Sequence, residues 1–224
     1  MFGKNPKRGP VTSSGKSLDV QDIFPTIQGE GPNVGMPAVF VRLGGCNLAC
    51  KFCDTEFESF ITKQTDDVIS EVIKLSCNLL GKRIRNLVVI TGGEPFRQSI
   101  EYLCERLIEE KFLVQIETNG TLYRELPNQV QIVCSPKSVD NYAPIREDIL
   151  SRTNALKFLI SAGDERYSFV PDVGQNRFNT EIYIQPMDEY NSQKNKANLE
   201  LVKKLSEENG YKISLQMHKI LGIP

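Results

Sequence analysis

Val39-Phe40-Val41-Arg42-Leu43-Gly44-Gly45-Cys46-Asn47-Leu48-Ala49-Cys50-Lys51-Phe52-Cys53 holds the key to the architecture. A short, mostly apolar and β-branched run reads as a buried strand, and the two glycines end it. A C-x3-C-x2-C segment follows at once. A strand that delivers unusual residues at its C-terminal end is the signature of a parallel α/β sheet, whose working face lies there.

The same arrangement recurs downstream. Leu87–Ile90 runs into Thr91-Gly92-Gly93-Glu94-Pro95, and Leu113–Ile116 into Glu117-Thr118-Asn119-Gly120. Ile132–Cys134 leads to Ser135-Pro136-Lys137, Ile182–Ile184 to Gln185-Pro186-Met187-Asp188, and Ile213–Gln216 to His218. The spacing predicts strands at Val39–Leu43, Leu87–Ile90, Leu113–Glu117, Gln131–Cys134, Ala155–Ile160, Ile182–Gln185 and Ile213–Gln216. It predicts helices at Asp66–Leu80, Ser99–Lys111 and Lys194–Glu208. In the second helix, Ile100, Leu103, Cys104, Leu107 and Ile108 form a single apolar stripe. Strands alternating with helices imply right-handed βαβ units. Seven strands with few helices predict an α/β fold: an incomplete (β/α) TIM-like barrel with a mainly parallel sheet, in a single domain.

The chain has 224 residues, 40% hydrophobic and 25% charged, with a net charge of −1. That length suits one domain with a full core. The charge balance argues against a nucleic-acid or anionic-membrane binder, and no apolar run approaches a membrane span. Residues 1–16 carry Lys4, Lys7, Arg8 and Lys16 among Gly, Pro and Ser, without the apolar stretch of an export signal. They are expected to be a flexible lead-in to a core domain at 17–224. The expected location is the cytoplasm, where close cysteine spacing points to metal or catalysis rather than to disulfides.

Thiolates are soft ligands for iron–sulfur clusters and for zinc. Closed zinc sites and ordinary cubanes take four protein ligands. Three local thiolates, Cys46, Cys50 and Cys53, would leave one iron of a 4Fe-4S cluster open. Two alternatives stay open at this point: one apolar helix face at i, i+4 and i+7, or zinc with Cys134 or His218 as a distant fourth ligand. Cys77 and Cys104 read as small buried hydrophobes, and for Cys134 packing is the expectation.

Gly45 to Thr55 resembles the cluster loop of the radical S-adenosylmethionine superfamily, and Thr91-Gly92-Gly93-Glu94-Pro95 resembles its glycine-rich motif. Phe24-Pro25-Thr26-Ile27-Gln28-Gly29-Glu30-Gly31, Glu117–Gly120, Ser135–Lys137, Gln185–Asp188 and Leu215-Gln216-Met217-His218-Lys219 narrow the likeness to the 7-carboxy-7-deazaguanine synthases. It runs from about residue 18 to the last, leaving out the lead-in and part of 138–152.

The resemblance implies a lyase that converts 6-carboxy-5,6,7,8-tetrahydropterin to 7-carboxy-7-deazaguanine with loss of ammonia, in the 7-deazapurine and queuosine pathway. It implies a 4Fe-4S cluster, S-adenosyl-L-methionine, Mg2+, a homodimer and an electron donor such as flavodoxin or ferredoxin. It assigns the reacting centre to Cys46, Cys50 and Cys53. It assigns the cofactor to Phe52, Cys53, Asp54, Gly92, Gly93, Glu94, Ser135, Pro136, Lys137, Gln185, Pro186, Met187 and Asp188. Ile27, Gln28, Gly29, Arg42, Thr91, Glu117, His218 and Pro224 fall to the substrate, and Thr55 to Mg2+.

Some of these roles have physical reasons of their own. Glycines let backbone approach a ligand closely, and Glu94 could accept from the cofactor's ammonium. Arg42, in an apolar strand, needs an anion, and a substrate carboxylate matches its fork; a surface ion pair on an edge strand is the alternative. Glu117 could take paired hydrogen bonds from a pterin, or could simply pair with a nearby base. Thr55 could ligate Mg2+ or act as a turn hydroxyl. A lone histidine such as His218 more often satisfies hydrogen bonds in a core than performs chemistry. Two competing functions are a radical activase of a glycyl-radical enzyme and a zinc-stabilised or electron-transfer iron–sulfur protein.

Overall fold

The computed structural model describes residues 5–138, 142 and 145–223. Nine strands form one sheet: β1 (Ser17–Ile27), β2 (Pro37–Leu43), β3 (Ile61–Gln64), β4 (Leu87–Gly92), β5 (Leu113–Thr118), β6 (Gln131–Cys134), β7 (Ala155–Ile160), β8 (Glu181–Pro186) and β9 (Lys212–Ile213). Their order is β3-β1-β2-β4-β5-β6-β7-β8-β9. Every neighbouring pair from β2 to β9 is parallel, whereas β1 runs antiparallel to both β2 and β3. The sheet does not close, and the fold is an incomplete TIM-like barrel.

The helices are α1 (Thr65–Ser76), α2 (Glu101–Glu109), α3 (Glu147–Leu150), α4 (Ser192–Asn209) and α5 (Met217–Leu221). Leu87, Val88, Val89 and Ile90 of β4 are all fully buried, as expected of a central parallel strand covered on both faces. Leu103, Cys104 and Leu107 of α2 pack with Val68, Ile69 and Val72 of α1 onto β1, β2 and β4. A second cluster joins Leu156 and Phe158 of β7, Ile184 of β8, Ile149 of α3 and Val202 of α4.

Four sequence expectations need correction. β1 and β3 were not anticipated, because β1 interrupts its apolar alternation with Gln21, Asp22 and Pro25, and β3 is polar and mostly exposed. The strand expected at Ile213–Gln216 shrinks to Lys212–Ile213, since the chain turns at Ser214 towards α5, which carries His218. α1 stops at Ser76 rather than Leu80. The Asn78 side chain accepts from the backbone N–H groups of Leu80 and Lys82, which fixes a turn there and leaves Leu79 and Leu80 exposed. Cys77 is accordingly half-buried at the end of α1, while Cys104 and Cys134 are fully buried.

Residues 5–16, the described part of the expected lead-in, pass from the cluster loop to the segment between β4 and α2. The Arg8 N–H donates to Cys46 O at 2.7 Å, and the Val11 N–H to Arg97 O at 2.6 Å. The Arg8 guanidinium pairs with Glu58.

Candidate active site

The C-terminal ends of the parallel strands surround a cleft of about 580 Å³. Cys46, Cys50 and Cys53 all line it. The loop that carries them is anchored at its root. The Gly45 N–H donates to Phe57 O, and Gly45 O accepts from the Glu94 N–H. Arg97 and Gln98 both donate to Gly44 O. Burial pushes all three thiols up, Cys46 to about 11, so an ionised sulfur here requires a cation. Each of the outer two sulfurs already has an amide donor: Asn119 Nδ2 lies 3.9 Å from Cys46 Sγ, and Asn5 Nδ2 lies 4.0 Å from Cys53 Sγ.

The donor set fits a 4Fe-4S cluster. Three soft donors face one space, and the other three cysteines are not part of its wall. Among the described residues, no three acidic, histidine or cysteine side chains converge as ligands of a single ion. A cubane makes no such demand, because its three thiolates sit on separate irons.

Thr91, Gly92 and Gly93 also line the cleft, and the glycines meet a second demand besides the one expected. A Cβ on Gly92 would run into the Leu43 backbone, and one on Gly93 into Gly45 O. The pair lets β4 close against the root of the cysteine loop. Glu94 is fully buried and does not line the cleft. Its oxygens accept from the Phe96 N–H, the Thr118 hydroxyl and the Asn119 N–H. Burial pushes its carboxyl up against these donors. Glu94 therefore braces the loops around the cleft.

Beyond the end of β6, Ser135 and Lys137 line the cleft, whereas Pro136 is buried and not part of its wall. Lys137 Nζ donates to Ser135 Oγ at 2.5 Å and Ser135 O at 2.8 Å, and burial lowers its pKa. Gln185, Pro186, Met187 and Asp188 all contribute to the wall, as do Phe52 and Asp54. Lys219 donates to Asp188 at 2.9 Å and holds that carboxyl down at about 2.

Across the cleft, Gln28 is buried, with its Oε1 accepting from the Glu30 N–H and its Nε2 donating to Glu117. Glu117 Oε1 also accepts from Gln115 at 2.7 Å, and its Oε2 from Lys157 at 3.0 Å. Gly29 lies so close to His218 that any side chain would strike the imidazole. Arg42 stands beside Thr91 in the parallel register of β2 and β4, so it is not on an edge strand. Its guanidinium sits 5.1 Å from the Phe24 ring, its Nε is buried without a hydrogen-bond partner, and no ion pair reaches it among the described residues. Burial lowers its pKa against the attraction of Asp22, Asp54 and Glu56.

Residues 40–219 match the Radical SAM superfamily. The 7-carboxy-7-deazaguanine synthase of Rickettsia prowazekii (strain Madrid E) is 53% identical over 224 residues, covering 100% of this chain and 96% of that protein. The protein of the same name from Rhodospirillum rubrum is 37% identical over 246 residues, with 100% of both chains covered. The chain belongs to the 7-carboxy-7-deazaguanine synthase family. QueE from Escherichia coli shares the fold, with a TM-score of 0.71 at 23% identity over 93% of this chain and 100% of that one.

Membership of this synthase family, within the radical SAM superfamily, brings a 4Fe-4S cluster and S-adenosyl-L-methionine to the cleft described above. Of the expected site residues, Glu94 and Pro136 stand off the wall, Pro224 lies outside the described residues, and the rest line one cleft. Thr55 is among them, its hydroxyl donating to Asp54 at 3.2 Å. Glu30, Lys157, Gln216 and Lys219 line it too and were assigned no role from the sequence. Lys157 had a readable signal: a lysine in the otherwise apolar run Ala155–Ile160, the same anomaly that drew attention to Arg42. No described helix is long and apolar enough to cross a membrane.

Proposed function

We propose that the chain converts 6-carboxy-5,6,7,8-tetrahydropterin to 7-carboxy-7-deazaguanine with loss of ammonia, a step of 7-deazapurine and queuosine biosynthesis. The observation that carries this reading is the pairing, on one cleft, of the three-thiol loop with the unpartnered guanidinium of Arg42. The first is suited to radical S-adenosylmethionine chemistry, and the second to a substrate carboxylate.

Cys46, Cys50 and Cys53 hold the cluster. Once reduced, that cluster would donate one electron to bound S-adenosylmethionine, with methionine as the leaving group, and so supply the chemistry for removing a hydrogen atom from the substrate. Gly92, Gly93, Ser135, Lys137 and Gln185 to Asp188 form the cofactor side of the cleft, with Phe52 and Asp54. Arg42 takes the pterin carboxylate in bidentate fashion. Glu117 accepts from the guanidine-like edge of the ring, and His218, Gln28 and Thr91 close the remaining wall. Thr55 serves as the protein ligand of Mg2+, which otherwise keeps water and substrate oxygens. Residues 17–224 act as the radical SAM core domain. The working form is a cytoplasmic homodimer reduced by a flavodoxin or ferredoxin.

Anaerobic incubation of the cluster-loaded protein with the pterin, S-adenosylmethionine, a reductant and Mg2+, followed by mass spectrometry, tests the reading. The expected product is 7-carboxy-7-deazaguanine. Recovery of unchanged pterin from protein with a full cluster overturns the substrate assignment.

A further inference from the structure

Behind Glu117 lies a buried group of charges. Lys157 projects from β7 into the cleft, with its side chain only 7% exposed. Its ammonium donates to Glu117 Oε2 at 3.0 Å and to Glu30 Oε2 at 2.5 Å. Glu30 is anchored from its other oxygen by Gln185 Nε2 at 3.1 Å and Gln216 Nε2 at 3.0 Å. Glu117 is held in the same way, its Oε1 accepting from two neutral amides, Gln115 at 2.7 Å and Gln28 at 3.4 Å.

We propose that Lys157 is a positioning residue for pterin recognition: pinned by Glu30, its ammonium holds the Glu117 carboxylate in the wall of the cleft as an acceptor. This rests on the substrate reading given above. A buried lysine is costly unless paired, and two carboxylates around one ammonium leave the group one negative charge in excess. Such a site favours a ligand edge made of N–H donors over one made of acceptors. Burial alone would push Glu30 up, but Lys157 and Gln216 outweigh it and hold its carboxyl at about 2. The other charged or titratable groups facing this cluster are Lys137, beyond the end of β6, the buried Cys134 that ends β6, and His218, on α5. None of the three donates to Glu30 or Glu117, so Lys157 has no substitute among the described residues.

The test is Lys157→Ala in the cluster-loaded enzyme, with iron and sulfide per chain as controls. The expected result is a KM for the pterin raised about tenfold or more, the size of one lost charge-assisted hydrogen bond. Without the ammonium, burial governs Glu30, so this KM should also worsen as pH falls across about 8.5 to 6.5, where the wild type stays flat. Added methylammonium, which fits the space vacated by the lysine tip, should restore KM, whereas potassium should not. Lys157→Met, which keeps the apolar stem, carries the comparison of the two KM values and of their pH dependence, without the methylammonium arm, if the alanine variant does not fold. An unchanged pterin KM, or a loss shared equally by the S-adenosylmethionine KM and not reversed by methylammonium, overturns the proposal. If the wild type itself yields no product from the pterin, the substrate reading has failed instead.

Discussion

Glu94 accepts a hydrogen bond from the Asn119 N–H at 2.7 Å, and this bond joins the turn after β4 to the turn after β5. Asn119 in turn directs its amide at Cys46 Sγ and at Asn47 Oδ1. A carboxylate with no exposed surface thus fixes the position of a donor to the cluster loop. Glu94→Gln keeps the shape but turns an NH2 group towards donors. The expected cost is about 1–3 kcal/mol, the penalty for a buried donor without a partner. Denaturant unfolding of the anaerobic holoenzyme measures it. A change within about 0.5 kcal/mol, the range of an uninvolved surface site, would sink the brace interpretation.

Gly93→Ala places a methyl group against Gly45 O, at the root of the cysteine loop. The loop must shift, and it carries Cys46 with it. The expected result is a folded protein, destabilised by about 1–3 kcal/mol, that retains less iron and sulfide after reconstitution than the wild type. Full cluster content in this variant would show that the loop tolerates the shift.

How much of this could be read in the sequence depends on what each signal required. The parallel strands were legible because burial on both faces leaves continuous apolar runs, as in Leu87–Ile90. The cleft was legible because chemistry-bearing residues follow those runs at once. β1 was hidden by Asp22, whose own side chain accepts from the Ile23 N–H, and by the register shift between Val20 and Asp22. Glu94 was legible as a motif residue, but its role was not, since burial depends on Thr118 and Asn119 arriving from another strand. Glu30 and Lys157 are 127 residues apart in the chain, and nothing local in either segment announces that they meet.

Arg42 leads to a test of substrate recognition. With a buried Nε lacking a partner, it is poised for a planar anion. Arg42→Met should lower kcat/KM for the carboxypterin roughly 100-fold, the worth of a bidentate charge-assisted pair at about 2–3 kcal/mol. Arg42→Lys should recover only part of this, because an ammonium lacks the fork. The wild type should bind a tetrahydropterin without the carboxylate poorly, and Arg42→Met should bind both compounds alike. Persistent discrimination in the variant would move carboxylate recognition elsewhere.

Asn5 reaches across from the N-terminal segment to donate to Thr55 O at 3.3 Å, with Cys53 Sγ 4.0 Å away. Hydrogen bonds to ligand sulfurs stabilise the more electron-rich, reduced cluster. Asn5→Ala should therefore shift the reduction potential to a more negative value and hasten bleaching of the cluster in air. A redox titration followed by electron paramagnetic resonance gives the first, and visible absorbance the second. Identical potentials in the two proteins would show that this donor does not act on the sulfur.

His218 sits beside Gly29, half-buried, with the Lys219 charge next to it. Burial lowers its pKa below the ordinary 6.5, and the attraction of Glu30 does not reverse this. The imidazole is then neutral at and above neutral pH, able to donate from one nitrogen and accept at the other. As pH falls through its pKa, an imidazolium forms beside Lys219 and Lys157, and the acceptor is lost. kcat/KM measured from about pH 5 to 8 reports groups of the free enzyme. The wild type should lose activity on the acid side only below the ordinary histidine range, and His218→Gln should lack that limb while working more slowly throughout. An acid limb that stays in place after the substitution would assign the titration to another group on the cleft and leave His218 a packing residue against Gly29.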